Sequence, residues 1–175
     1  MELPKVDIKK ILYATDLSES ARYAFAYAVS IANLYGAQLV MLHVLPEDPD
    51  MDDQVKGYVD AELWQDIKRR HLEEARSALI GKRRGHMAIR EVLDHFRKDA
   101  GRQSDESTAE MDDIVVESGH PVERIIQVAE EKNCDLIVMG RHGYGTLKDA
   151  LMGGVARGVL QRSAKPVLLI RIAEE

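Results

Sequence analysis

Short apolar runs alternate along this chain with longer stretches in which apolar residues recur every three or four positions. Lys10-Ile11-Leu12-Tyr13-Ala14 is a brief run bounded by Thr15-Asp16, and it reads as a first strand. Behind it Ser18 stands at a helix-cap position. Ala21, Ala24, Phe25, Ala28, Val29, Ile31, Ala32 and Tyr35 follow at helical spacing, and Gly36 is the stop. Residues 38–45 form a near-continuous apolar strand ended by Pro46, the pattern of a strand covered on both faces. An acidic loop over 46–53 leads to a long helix expected over 55–79, with Val59, Leu63, Ile67, Leu72, Ala75 and Leu79 inward. A further helix over 87–98 carries Ile89, Val92, Leu93 and Phe96, and a polar linker over 101–113 follows.

Regular alternation then resumes. A strand over 113–117 ends near Gly119, and Pro121 opens a helix whose buried face is Val122, Ile125, Ile126, Val128 and Ala129. A strand over 135–139, a helix over 153–162 and a strand over 166–171 complete the chain. This order predicts an α/β fold, an open parallel sheet of five strands with helices on both faces. Ligands in such sheets bind beyond the carboxyl ends of strands, where the strand order reverses, so the loops after the first, second and fourth strands are the ones to inspect.

Composition narrows the function classes. At 175 residues, 45% apolar and 31% charged, the chain suits one globular domain over 1–175, with an insertion at about 82–112. Aromatic content of 5% disfavours a base-stacking platform, and a net charge of −6 disfavours nucleic acid or an anionic membrane as partner. The single cysteine, Cys134, excludes an internal disulfide. The N-terminal residues lack the form of a signal peptide and no apolar run reaches membrane-spanning length, so a cytoplasmic protein is expected. Residues 82–102 hold seven basic and three acidic side chains and 103–113 hold five acidic and no basic ones, which fits a self-paired flap, a partner-binding element or a solvated surface insertion.

The chemistry concentrates in one place. Six of the twelve glycines lie within the nineteen residues from Gly140 to Gly158, directly after the apolar run Leu136-Ile137-Val138-Met139. That clustering points beyond simple turns, to a strand end, a backbone cradle and a helix N-terminus arranged for a phosphate. Thr146 and Asp149 resemble a helix-capping pair. His142 has no Ser, Cys or second His at a spacing that supports a nucleophile–base pair, so a packing or ribose-contacting role suits it better than catalysis. His43, flanked by apolar residues, reads as a buried or half-buried histidine. The Walker-type phosphate loop, a G-x-G-x-x-G after the first strand and the H-E-x-x-H metal motif are all absent.

Three segments carry a resemblance to a known family. Ile11-Leu12-Tyr13-Ala14-Thr15-Asp16-Leu17-Ser18-Glu19, Gly119-His120-Pro121-Val122-Glu123-Arg124-Ile125-Ile126 and Cys134-Asp135-Leu136-Ile137-Val138-Met139-Gly140-Arg141-His142-Gly143 are similar to universal stress proteins, as is the closing Ala164-Lys165-Pro166-Val167-Leu168-Leu169-Ile170. The resemblance spans nearly everything except about 82–112. It implies a Rossmann-like, adenine nucleotide alpha hydrolase-like fold that binds ATP, or AMP or ADP, with magnesium accompanying ATP. Nucleotide-binding members carry glycine, two residues, glycine, nine residues, glycine, then serine or threonine; Gly140, Gly143 and Gly153 match.

By the same resemblance the nucleotide-binding residues are Ala14, Thr15, Asp16, Val44, Met139, Gly140, Arg141, His142, Gly143, Gly153, Gly154 and Val155. Asp16 matches the acidic residue at the adenine and ribose end, while also suited to capping the following helix with Ser18. Val44 matches the apolar wall of the adenine pocket. Gly154 departs from the pattern, removing a hydroxyl worth about 1.5–3 kcal/mol as a charge-assisted hydrogen bond. Backbone N–H groups, Arg141 or Arg157 are the groups left to compensate.

Two outcomes stay open: binding persists, with a preference for AMP or ADP, or the site is vestigial. The first reading is an adenine-nucleotide-binding module of stress-response signalling. The alternative is an interaction protein without nucleotide, working on a protein partner through its dimer and the 82–112 insertion. A slow ATP hydrolase or phosphotransferase is a minor third. The last strand, Val167 to Ile172, is an apolar edge with no helix left to cover it. Pairing across a two-fold axis, common in the family, implies a homodimer around Val167 and Leu169.

Overall fold

The computed structural model describes residues 3, 5–45, 58–75, 87, 89–98, 111–143 and 152–172. The expected 46–53 loop, Leu79, the basic break over 82–85, the linker over 101–110 and the Thr146/Asp149 pair lie outside the described residues. Nine of the elements observed are β1 (Lys10–Thr15), α1 (Glu19–Tyr35), β2 (Gln38–Leu45), α2 (Ala61–Ala75), β3 (Met111–Ser118), α4 (Pro121–Glu131), β4 (Leu136–Gly140), α5 (Gly154–Arg162) and β5 (Val167–Ile170). Between α2 and β3 residues 89–98 are also helical, as α3.

The five strands form one parallel sheet in the order β3-β2-β1-β4-β5. β1 is central, with Leu12 in register with Val40 on one side and Ile137 on the other. Two apolar clusters flank the sheet, as the alternation of side chains along buried parallel strands requires. On one face Ile11, Tyr13, Leu39 and Met41 pack with Phe25, Ala28, Trp64, Ile67, Ile89 and Leu93 from α1, α2 and α3. On the other, Leu12, Val40, Leu42 and Ile137 pack with Val122, Ile125, Val128 and Val159 from α4 and α5.

Local signals account for most boundaries. Ser18 caps α1, its Oγ accepting the Ala21 N–H at 3.2 Å, and Gly36 closes the helix in the left-handed region at φ 63°. Pro121 takes the first position of α4. Where expectation and structure part, the cause is specific. α2 begins at Ala61 rather than near Val55, because Asp60 Oδ1 accepts the Leu63 N–H at 2.8 Å and so fixes the start. Tyr58 and Val59 therefore precede the helix, and Trp64, absent from the expected inward face, is buried. Tyr35, expected inward, is exposed at the last position of α1. Residues 111–113 are not linker but the start of β3, beside a register shift at Leu39/Val40.

On α3 the side chains expected inward are inward: Ile89, Val92 and Leu93 are fully buried and Phe96 packs against the same cluster, so this helix is part of the core and not a solvated surface element. Asp113 of β3 anchors it further, pairing with Arg90 of α3 at 3.4 Å and with Lys132 at the end of α4 at 2.9 Å. Cys134 is buried where the chain enters β4, and burial pushes its thiol up to about 11, so it is unreactive at neutral pH.

Gly158 marks the contact between α4 and α5. A Cβ there would lie 2.8 Å from Cγ2 of buried Val122. Overpacking costs about 1–3 kcal/mol and outweighs the helix preference of alanine over glycine, about 1 kcal/mol. Gly158→Ala is expected to lower stability by about 1 kcal/mol in urea denaturation. Adding Val122→Ala should cost less than the two single changes summed; strict additivity would refute the contact.

Candidate functional site

The strand order reverses at β1, which has β2 on one side and β4 on the other. The carboxyl end of β1 is held tightly there. Thr15 is buried, its carbonyl accepting Nδ1–H of His43 at 2.8 Å and its Oγ1 accepting the Leu17 N–H at 3.0 Å. Because a carbonyl can only accept, His43 carries its proton on Nδ1 when neutral, and Nε2 is then an acceptor. Asp16 Oδ1 accepts the Ser18 N–H at 3.0 Å. Between them Leu17 sits at φ 66°, a left-handed conformation that costs a leucine about 1 kcal/mol or more. Burial of the Leu17 side chain and the flanking hydrogen bonds hold it in place.

Opposite this turn lies the end of β4. Gly140 approaches the first turn of α1 so closely that a Cβ would lie 2.6 Å from Ser20 Oγ and 3.1 Å from the Ala21 nitrogen. At Gly143 a Cβ would meet Asp16 Oδ2 at 2.5 Å. Neither glycine adopts positive φ, so close approach, not backbone freedom, selects them. The Arg141 N–H donates to the Ile170 carbonyl and the Arg141 carbonyl accepts the Gly153 N–H, each at about 2.8–2.9 Å. These two bonds seat Gly153 as the N-cap of α5 beside the β4 loop. The first N–H groups of α5 have no partner within the helix and carry its positive end.

A cleft of about 340 Å³ opens between these parts. Of the residues expected to form a site, Ala14, Thr15, Asp16, Val44, Met139, Gly140, His142, Gly143, Gly153, Gly154 and Val155 line it. Arg141 does not: its contribution is the backbone pair above. Arg157 is exposed on α5 and is likewise not in the lining. A Cβ on Gly154 would meet nothing within 4 Å.

Further residues complete the wall. Leu42 and His43 come from β2, Pro121 and Ile125 from α4, and Ala21 and Ala156 from α1 and α5. Alternation along β2 gave a signal for the first two, since they neighbour Val44. Nothing local marked Pro121 and Ile125, which reach the cleft because α4 packs across β2. His43 is almost fully buried, in line with its apolar flanks. The lining combines apolar side chains, Leu42, Val44, Ile125, Met139 and Ala156, with Asp16, His142, the glycine backbone and the α5 N-terminus. That mixture suits a flat, weakly polar ring joined to an anion.

The fold defines a doubly wound, Rossmann-like α/β protein with a cleft at the switch point. The chain belongs to the universal stress protein family, whose model matches residues 7–171. A universal stress protein of Methanocaldococcus jannaschii is 28% identical over 173 residues, covering 93% of this chain and 94% of that protein. Its solved structure superimposes with a TM-score of 0.62 over 97% of this chain and 100% of the other. A universal stress protein from Lactobacillus plantarum gives a TM-score of 0.65 at 22% identity, covering 95% of this chain and 100% of that one. Another, solved in complex with cAMP, gives 0.56 at 22% identity over 95% and 98% of the two chains.

The two glycines of the β4 loop should respond differently to alanine. Gly140→Ala drives a methyl into backbone and is expected to cost about 3 kcal/mol in chemical denaturation. Gly143→Ala meets only the tip of the Asp16 side chain, which can rotate, and should cost under about 1 kcal/mol. Equal losses at both positions would contradict this geometry.

Proposed function

We propose that this chain binds an adenine nucleotide in the switch-point cleft and acts as a nucleotide-responsive regulatory module of the stress response. One observation carries the reading: a single cleft joins an apolar slot to the glycine-lined N-terminus of α5. The slot takes the base and the helix terminus takes phosphate. Asp16, set against Gly143 between the two, faces the sugar. The related protein solved with cAMP lends support, as an adenine nucleotide occupies a member of the same family. The nucleotide is AMP, ADP or ATP. Magnesium would accompany the phosphates of ATP.

Linkage tests the reading directly. At 100 times its dissociation constant a ligand adds about 2.7 kcal/mol of stability, a rise of roughly 5–10 °C in melting temperature for a chain of this size. Titration with AMP, ADP and ATP should produce that rise for at least one of them. A change below a fraction of a degree at millimolar concentration of all three removes the proposal.

Gly154 supplies a second test. It stands in open space in the first turn of α5, so Gly154→Ser adds a hydroxyl without a clash. The variant should bind ATP about tenfold more tightly, the lower end for a charge-assisted hydrogen bond. Unchanged affinity would place the phosphates elsewhere.

The same reading extends to assembly. β5 is an edge strand, paired only with β4, and Val167, Leu168 and Leu169 are half-buried on it. A homodimer joined through this edge satisfies its free N–H and C=O groups. Sedimentation should show a dimer at micromolar concentration, and Leu169→Asp should give monomer or insoluble protein. A clean monomer for the unmodified chain would end this part of the proposal.

A further inference from the structure

A continuous set of contacts runs from the cleft to the added helix α3. It starts at Thr15, which lines the cleft, and whose Oγ1 lies 3.0 Å from the Tyr58 hydroxyl. Tyr58, just before α2, is buried and packs against Phe96 of α3 with ring centroids 4.5 Å apart. Phe96 packs on Phe25 of α1 at 5.0 Å, and Phe25 on Tyr13 at 5.3 Å. The path therefore leaves β1 at Thr15 and returns to it at Tyr13. Its remaining edges are also filled. The Tyr13 hydroxyl donates to the Ala21 carbonyl at 2.7 Å, and the Arg22 guanidinium stands 5.9 Å from the Tyr58 ring centre.

The hydroxyl end of this path touches the most constrained point of the site. Thr15 Oγ1 is the atom that accepts the Leu17 N–H, and Leu17 is the residue held in the left-handed region. Asp16 lies between these two residues and presents Oδ2 beside Gly143. Remove the Tyr58 hydroxyl, and Thr15 Oγ1 loses a neighbour that fixes its rotamer. The Leu17 turn then loses part of what offsets its cost, and the Asp16 carboxylate is freed to move. Burial keeps the Tyr58 phenol protonated, pushing it up to about 12, so this hydroxyl is present throughout the ordinary pH range.

We infer that Tyr58 is a positioning residue for the cleft, that Phe96 of α3 holds it in place, and that the added helix thereby sets the affinity of the site and registers its occupancy. The inference rests on the nucleotide reading above. Neither residue lines the cleft, so any effect on binding is indirect, through Thr15 and the β1 turn or through α1 and Ala21. Coupling of this kind is reciprocal: a helix that tightens the site is itself steadied when the site fills.

The experiment uses the full chain with AMP as probe, and pairs calorimetric affinity with amide hydrogen exchange. In the unmodified protein AMP should slow exchange in residues 89–98. Tyr58→Phe, which keeps the ring and deletes the hydroxyl, should weaken AMP roughly tenfold, the upper end for one neutral hydrogen bond. It should also abolish the AMP-dependent protection of 89–98. Phe96→Leu, apolar and smaller, should weaken AMP in the same direction. All measurements are made where each variant is fully folded, since a hydroxyl that only stabilises the fold lowers the denaturation midpoint and leaves affinity unmoved. Normal AMP affinity in both Tyr58→Phe and Phe96→Leu would overturn this inference alone. No binding of AMP, ADP or ATP by the unmodified chain would overturn the cleft reading and this inference with it; where ADP or ATP binds in place of AMP, the same measurements are made with that nucleotide.

Discussion

Everything distinctive about this molecule depends on the placing of β1 at the centre of a parallel sheet whose chain then departs in two directions. The connection to β2 carries α1 over one face, while the later connection into β5 carries α5 over the other. Crossovers between parallel strands share one hand, so the two halves wind away from each other at this line. Loops that diverge cannot cover the strand ends between them. A cleft is the geometric consequence, and its walls are whatever the ends of β1, β2 and β4 happen to carry.

Keeping that cleft open and shaped has local costs that neighbouring contacts offset. Leu17 is held in a conformation it disfavours, and Gly140 lets β4 come within contact distance of the α1 backbone. Any side chain at Gly140 would push the sheet and α1 apart, and Asp16 would lose its place beside Gly143. The two crowded glycines and the strained leucine are one arrangement seen from opposite sides. Thr15, Ser18 and His43 bind its backbone from three directions.

Much of this was legible in the residues, for reasons that differ by element. Buried parallel strands announce themselves as short apolar runs, and the α1 and α4 faces repeat at helical spacing, so the sheet and its order of elements followed from pattern alone. The glycine cluster marked the β4–α5 loop because so many missing side chains in one place need a common cause. What stayed hidden was tertiary. Nothing periodic links Tyr58 to Thr15 or Phe96, and Asp60 fixes the start of α2 by one hydrogen bond that the apolar pattern does not report. The charge of the 82–112 segment drew attention to its surface, whereas the apolar side of α3 decides where it lies. The motif also did not show that the Arg141 backbone ties β4 to β5 and to Gly153.

Gly154 brings these strands of reasoning together. With no side-chain hydroxyl at Gly154 and no arginine among the described residues of the lining, an anion at the α5 N-terminus would meet, among the described residues, backbone N–H groups and His142. The N–H donors are fixed in direction by the helix and cannot adjust one at a time. Their strength toward a ligand then depends on how accurately α5, the β4 loop and the β1 turn are placed relative to one another. A side chain that reaches out can absorb a small displacement of its parent helix; a row of amides cannot. On the proposed reading, a site without that hydroxyl is controlled by the packing around it rather than by one residue, and that packing includes Thr15, Tyr58 and, through Phe96, the added helix.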